Sequence, residues 1–149
     1  MSEDEKWMNY AIKEALKAEK NGEIPVGAVL VKDGNLIAKA HNQSIQNFDA
    51  TAHAEIQLIR LAGKATQNYR LTGSSLYVTL EPCIMCFGAI VHARIEKLIF
   101  GAKDPKFGLS ESTLNLDCKK KLNHKVEIRS GILEKNCSDI LSSFFKSKR

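Results

Sequence analysis

The sequence predicts an α/β protein, a central sheet with helices layered against it. Three observations predict this. The apolar segments "VGAVLV" (26–31) and "LIAKAHN" (36–42) have strand length, and the Asp33-Gly34 pair between them favours a two-residue hairpin turn. Downstream, helix-like and strand-like segments alternate. Amphipathic helical patterns open and close the chain. The length of 149 residues suits one domain, 1–149, with one sizeable core.

The first element is a helix. "SEDE" (2–5) fits a capping box, and Met8, Ala11, Ile12, Ala15 and Leu16 recur behind it at helical spacing. Asn21-Gly22 supplies the stop. The hairpin follows. Thr51 is the expected N-cap of a second helix ending near Gly63. "SLYVTLE" (75–81) reads as a buried strand. Pro82 suits the first turn of a third helix running to about Arg94, where a missing N–H costs nothing. "KLIFGA" (97–102) is a fourth strand, "DPKFG" (104–108) a loop, and "HKVEIRS" (124–130) alternates like a fifth strand. "LEKNCSDILSSFFK" (133–146) closes the chain as an amphipathic helix.

The composition is that of a globular protein, 44% hydrophobic and 26% charged. No apolar run approaches the roughly 20 residues that cross a bilayer. "MSEDEKW" lacks the pattern of a secretory leader, so the expected location is cytoplasmic. The net charge of +5 is unevenly placed. Residues 1–100 carry 11 Lys+Arg and 11 Asp+Glu, whereas 101–149 carry 11 and 6. A basic region on a neutral body fits either a polyanionic partner or a solvated surface.

Chemistry concentrates in two short stretches, "TAHAEIQLIR" (51–60) and "EPCIMC" (81–86). Cys83 and Cys86 are three apart at a helix start, so both sulfurs can reach one point. The positive helix end favours thiolates there. His53, also in the first turn of a helix, supplies a third donor, and two thiolates with one imidazole suit Zn²⁺. Three protein donors leave a fourth position for water, as in a catalytic zinc site. Glu55 would then take the proton of that water and pass it on, which is the chemistry of hydrolytic deamination of an amidine-like ring. A thioredoxin-like redox reading of Cys-x-x-Cys gives His53 and Glu55 no role. A closed structural site, with a fourth ligand from His92, His124, Cys118 or Cys137, leaves Glu55 idle. Those four residues read as structural, the cysteines as small apolar side chains.

H-x-E followed by P-C-x-x-C is the signature of zinc-dependent nucleobase deaminases. The sequence resembles the bacterial tRNA-specific adenosine deaminases of the cytidine deaminase-like superfamily over nearly its whole length. The resemblance rests on "IPVGAVLV" (24–31), "HN" (41–42), "TAHAEI" (51–56), "YVTLEPCIMCFGAIVHARI" (77–95), "GAKDPKFG" (101–108), "NHKVEI" (123–128) and "GIL…C…LSSFF" (131–145). It implies a three-layer α/β/α sandwich with a central five-stranded mixed sheet. It implies conversion of adenosine to inosine at the wobble position of a tRNA anticodon, an arginine tRNA being expected. One zinc per subunit would be held by His53, Cys83 and Cys86, with Glu55 shuttling protons. Asn42 would hydrogen-bond the flipped base, and the Ala54 N–H would help fix it. The family works as a homodimer that grips the anticodon stem-loop near the subunit interface.

RNA loops are read by stacking on aromatics and by phosphate contacts. Lys103 and Lys106 flank the glycine-bearing loop, and Phe145, with "KSKR" ending at Arg149, puts aromatic and cationic groups together. Phe144 is expected in the core and Lys119 to Lys121 in solvent. Two positions depart from the family pattern: Ala50 where Pro often precedes Thr-Ala-His, and Glu111 where Gly is common. The rival functions are a deaminase of a free guanine or cytosine compound and a non-catalytic RNA-binding protein with structural zinc.

Overall fold

The computed structural model describes residues 1–108 and 122–148. Glu111, Cys118, Lys119 to Lys121 and Arg149 lie outside the described residues. The element order is α1 (Glu3–Lys20), β1 (Gly27–Lys32), β2 (Asn35–His41), α2 (Ala54–Thr66), β3 (Ser75–Leu80), α3 (Ile84–His92), β4 (Lys97–Ala102), β5 (Glu127–Arg129) and α4 (Glu134–Ser147).

The strands form one mixed sheet in the order β2-β1-β3-β4-β5. β1 pairs antiparallel with β2 and β3, and β4 runs parallel to β3 and β5. The hairpin forms as its turn residues predict: Asp33 and Gly34 both take positive φ, 52° and 76°. Successive residues of the buried strands point to opposite faces. Ala28, Leu30, Leu76, Val78, Leu98 and Phe100 face one cluster with Leu58 and Ala62 of α2 and Phe87 and Ile90 of α3. Val29, Val31, Tyr77 and Ile99 face the other, with Trp7, Met8 and Ala11 of α1 and Cys137 of α4. The result is three layers, α2 and α3 on one side of the sheet and α1 and α4 on the other.

Several sequence-based boundaries move. The second helix starts at Ala54, and Thr51 does not cap it: its N–H and Oγ1 both donate to Asp49 Oδ1, at 2.9 and 2.7 Å. That helix runs on to Thr66. Pro82 precedes the third helix rather than sitting in its first turn, because Cys83 is the N-cap. The same helix ends at His92, and Arg94 turns the chain with φ 63°. The fifth strand is cut to Glu127–Arg129, the part that pairs with Lys97, Leu98 and Ile99 of β4. Phe144 is 7% exposed and Phe145 48%, the division expected of adjacent residues on an amphipathic helix.

Strand directions bring chain ends together at one edge of the layers. β1 begins where the antiparallel β2 and β3 end, so Val26, Asn42 and Glu81 gather there. The ladders continue past the strands: Asn42 N–H donates to Val26 (3.1 Å) and Glu81 N–H to Ala102 (2.8 Å). Buried Glu14 of α1 pins the end of β2, 3.2 Å from His41 Nδ1 and 2.6 Å from Lys17 Nζ. Burial pushes the Glu14 carboxyl upward, but the bonds to Lys17 and His41 outweigh this and hold it below its ordinary 4.5. Among the described residues, no helix is long and apolar enough to cross a membrane.

Candidate metal centre and cleft

α2 and α3 lie side by side on the sheet, and their N-termini meet at the edge where β2 and β3 end. His53 is the N-cap of α2 and Cys83 the N-cap of α3, each with extended backbone (ψ 156° and 177°) and no side-chain capping bond. Cys86 stands three residues inside α3. The extended cap residues aim their side chains across the gap instead of back along their own helices. Cys83 Sγ is 3.7 Å and Cys86 Sγ 3.5 Å from His53 Nδ1. The three donor atoms lie within 4.8 Å of one another.

This donor set fits zinc. Bond lengths of about 2.3 Å to sulfur and 2.0 Å to nitrogen at tetrahedral angles place S and N roughly 3.6 Å apart. The two S···N separations match that edge. Thiolates with imidazole are the soft and borderline donors that zinc takes. Among the described residues, no fourth His, Cys, Asp or Glu donor joins the group.

Charge at the site follows from proximity and burial. Among protein atoms alone, the Cys83 thiol is drawn down to about 4, first by the hydrogen bond from Cys86 and then by His53. Cys86, facing that thiolate and buried, is raised. His53 is raised by its bond to Cys83. Both helix N-termini add positive potential that favours sulfur anions. Glu55, in the first turn of α2, is 4% exposed, and burial pushes its carboxyl up to about 7.

The cluster opens into a cleft of about 320 Å³, within the size range of small-molecule sites. Ile24, Val26, Asn42 and Leu80 form one part of its lining, and His53, Glu55 and Cys83 the reactive part. Glu81, Asp104 and Phe107 complete it. The structure therefore brings His53, Glu55, Cys83 and Asn42 together in the lining of one cleft, with Cys86 buried beside His53.

Asn42 and Ala54 are bonded to each other. Asn42 Oδ1 accepts the Ala54 N–H at 2.8 Å, and Asn42 Nδ2 donates to the Ile24 carbonyl at 3.1 Å. An N–H has a single hydrogen, so the Ala54 amide is taken by Asn42 and not presented to a ligand while that bond stands. Asn42 thus serves as the missing cap of α2, supplied from the end of β2.

The other expected residues lie elsewhere. Lys103 and Lys106 are exposed on the loop after β4, beside the cleft lining, while Phe145 on α4 is not part of that lining. His124 Nε2 lies 2.8 Å from the Ile95 carbonyl, a structural contact, and Cys137 is buried between α4 and the sheet. His92 is exposed. Sequence reasoning missed Glu81, Asp104 and Phe107. The only signal for them was their place in "LEPC" and in the Asp-Pro turn.

The family model for the cytidine and deoxycytidylate deaminase zinc-binding region matches residues 1–102. The tRNA-specific adenosine deaminase of Bacillus subtilis is 51% identical over 100% of this chain and 92% of its own length. The enzyme of the same name from Haemophilus influenzae is 54% identical over 98% and 85%. A solved structure from work on A-to-I editing by tRNA:A34 deaminases superimposes with TM-score 0.88 at 45% identity, covering 91% of this chain and 99% of that one. A guanine deaminase of Bacillus subtilis is 40% identical over 69% of this chain and 66% of its own, with TM-score 0.65. The zinc-type donor cluster, the layered sheet and full-length likeness at this identity agree, and the chain belongs to the tRNA-specific adenosine deaminase family.

Proposed function

We propose that the chain hydrolyses adenosine to inosine at the wobble position of a tRNA anticodon. The observation that carries this reading is the meeting of His53, Cys83 and Cys86 with the buried Glu55 carboxyl in one open cleft. When bound, zinc supplies a nucleophile from water at neutral pH. The rest falls to the protein. Glu55 takes the proton of the attacking water and returns it to the ring nitrogen. It then takes the second proton, from the hydroxyl now on the ring carbon, and gives it to the departing amine, so that adenosine and water become inosine and ammonia. A carboxyl lifted toward neutrality by burial suits both halves of that duty. Asn42, oriented by Ala54 and Ile24, keeps a second Nδ2 hydrogen for the edge of the base. The apolar walls, Ile24, Val26 and Leu80, exclude water around a base that has left its stack.

The finer reading takes the anticodon stem-loop of an arginine tRNA as substrate and a cytoplasmic homodimer as the working form. Exposed Leu61 on α2 and Ile84 on α3 give these outer helices apolar surface for a second copy. Lys103, Lys106, Phe145 and Arg149 are the proposed RNA contacts, through phosphate charge and stacking.

Incubation with a panel of unmodified tRNAs, followed by sequencing, tests the reading. A-to-G readout at the wobble base of one or a few tRNAs is expected, with binding that weakens steeply as salt rises. The 40% identical guanine deaminase supports one alternative, a free-base enzyme. Ammonia release from guanine, insensitive to salt and without change in any tRNA, would establish that alternative instead.

A further inference from the structure

Glu81 is 2% exposed and lines the cleft between β3 and Cys83, yet the proton transfers above do not use it. A carboxylate is costly to bury unless specific bonds hold it. Glu81 Oε1 accepts the Asp104 N–H at 3.0 Å. Asp104 in turn organises the next four residues. Its Oδ1 accepts the Lys106 and Phe107 N–H groups, each at 3.1 Å, and its carbonyl accepts the Gly108 N–H at 2.9 Å. Gly108 closes the turn against the same carboxylate. A Cβ at that position would lie 2.3 Å from Glu81 Oε1 and 2.5 Å from the Asp104 carbonyl, so only glycine allows the approach. The turn so held presents Phe107, 70% exposed, at the mouth of the cleft.

We propose that Glu81 is a positioning residue: its buried carboxylate fastens the 104–108 turn to the segment that leads into α3, so that Asp104 and Phe107 stand as a preformed wall for the nucleotide carrying the target base. That the wall meets RNA rests on the proposed function; the anchoring does not. Charge-assisted bonds to backbone N–H groups are stronger than neutral ones, which suits a carboxylate to this task. A wall ordered before binding spares the complex the cost of ordering it, so the anchor acts on affinity and not on proton transfer.

The test uses the zinc-loaded protein and its Glu81→Gln variant, which keeps the size and removes the charge. Amide exchange across 103–108 is expected to speed up in the variant, with zinc content and exchange in α3 unchanged. For an anticodon stem-loop RNA with adenosine at the wobble position, KM is expected to rise about tenfold while kcat stays within about twofold. Gly108→Ala attacks the same contact with the carboxylate intact and is expected to give the same pattern. It also decides the matter if Glu81→Gln does not fold. Unchanged exchange across 103–108 in a folded variant overturns the anchor, as does a fall in kcat at constant KM. A wild-type chain inactive on that RNA would fail the proposed function alone, and the exchange comparison would still decide the role of Glu81.

Discussion

The start of α1 and the starts of α2 and α3 meet the same physical need in different ways. Each helix begins with N–H groups that lack intrahelical partners. At α1 the answer is local: Ser2 Oγ accepts the Glu5 N–H, and Glu5 Oε1 accepts the Ser2 N–H, both at 3.1 Å. At α2 and α3 the cap positions hold His53 and Cys83, which make no capping bond and turn toward each other. The Ala54 N–H is satisfied instead by Asn42, from the end of β2. A helix start that gives its cap to a metal donor depends on the rest of the fold for what Ser2 and Glu5 do within four residues. It also keeps its positive end free to favour anionic ligands.

Substitutions at the two kinds of start should therefore separate function from stability. The largest effect is expected at Glu55. Glu55→Gln should lower kcat by about 10²–10⁴-fold with zinc content unchanged, measured by single-turnover deamination and metal analysis. Retained activity would remove the proton-transfer role. Cys83→Ala comes next. It should lose zinc and activity together, and a chelator that lowers the wild-type Tm should leave the variant's Tm unmoved. Asn42→Ala should cost about 1–3 kcal/mol in chemical denaturation, because it leaves the Ala54 N–H without its partner and removes one of two donors to the Ile24 carbonyl, which keeps the Val26 N–H. Asn42→Asp, which keeps the acceptor for Ala54, should cost less. The smallest effect is expected at α1. Ser2→Ala should cost about 1 kcal/mol and leave deamination unchanged. A loss of activity there would break the distinction between a structural start and a functional one.

The same contrast explains what the sequence made legible. The capping box, the Asp33-Gly34 turn and the strand at 97–102 are encoded by neighbouring residues, and the structure places them as read. The donor set was legible because metal chemistry limits the residue types so narrowly that two short motifs betray it across about thirty positions of chain. The helix boundaries next to those motifs were misread for the same reason. Thr51 and Pro82 are favourable start residues, but the metal donors occupy the positions they would take. The bonds from Asn42 to Ala54 and from Glu81 to Asp104 span 12 and 23 residues and follow no periodicity. They exist only because the sheet brings the ends of β2, β3 and β4 to one edge. The fifth strand was overextended because alternation marks a residue's suitability for a sheet, while pairing with β4 sets the strand's length.

The account stands on two helix starts sharing one metal. X-ray absorption at the zinc edge of the loaded wild-type protein tests this most directly. It should find two sulfurs at about 2.3 Å and two lighter donors at about 2.0 Å, one an imidazole and one a solvent oxygen. A third sulfur, or a second imidazole in place of the oxygen, would mean a closed structural site and would contradict it.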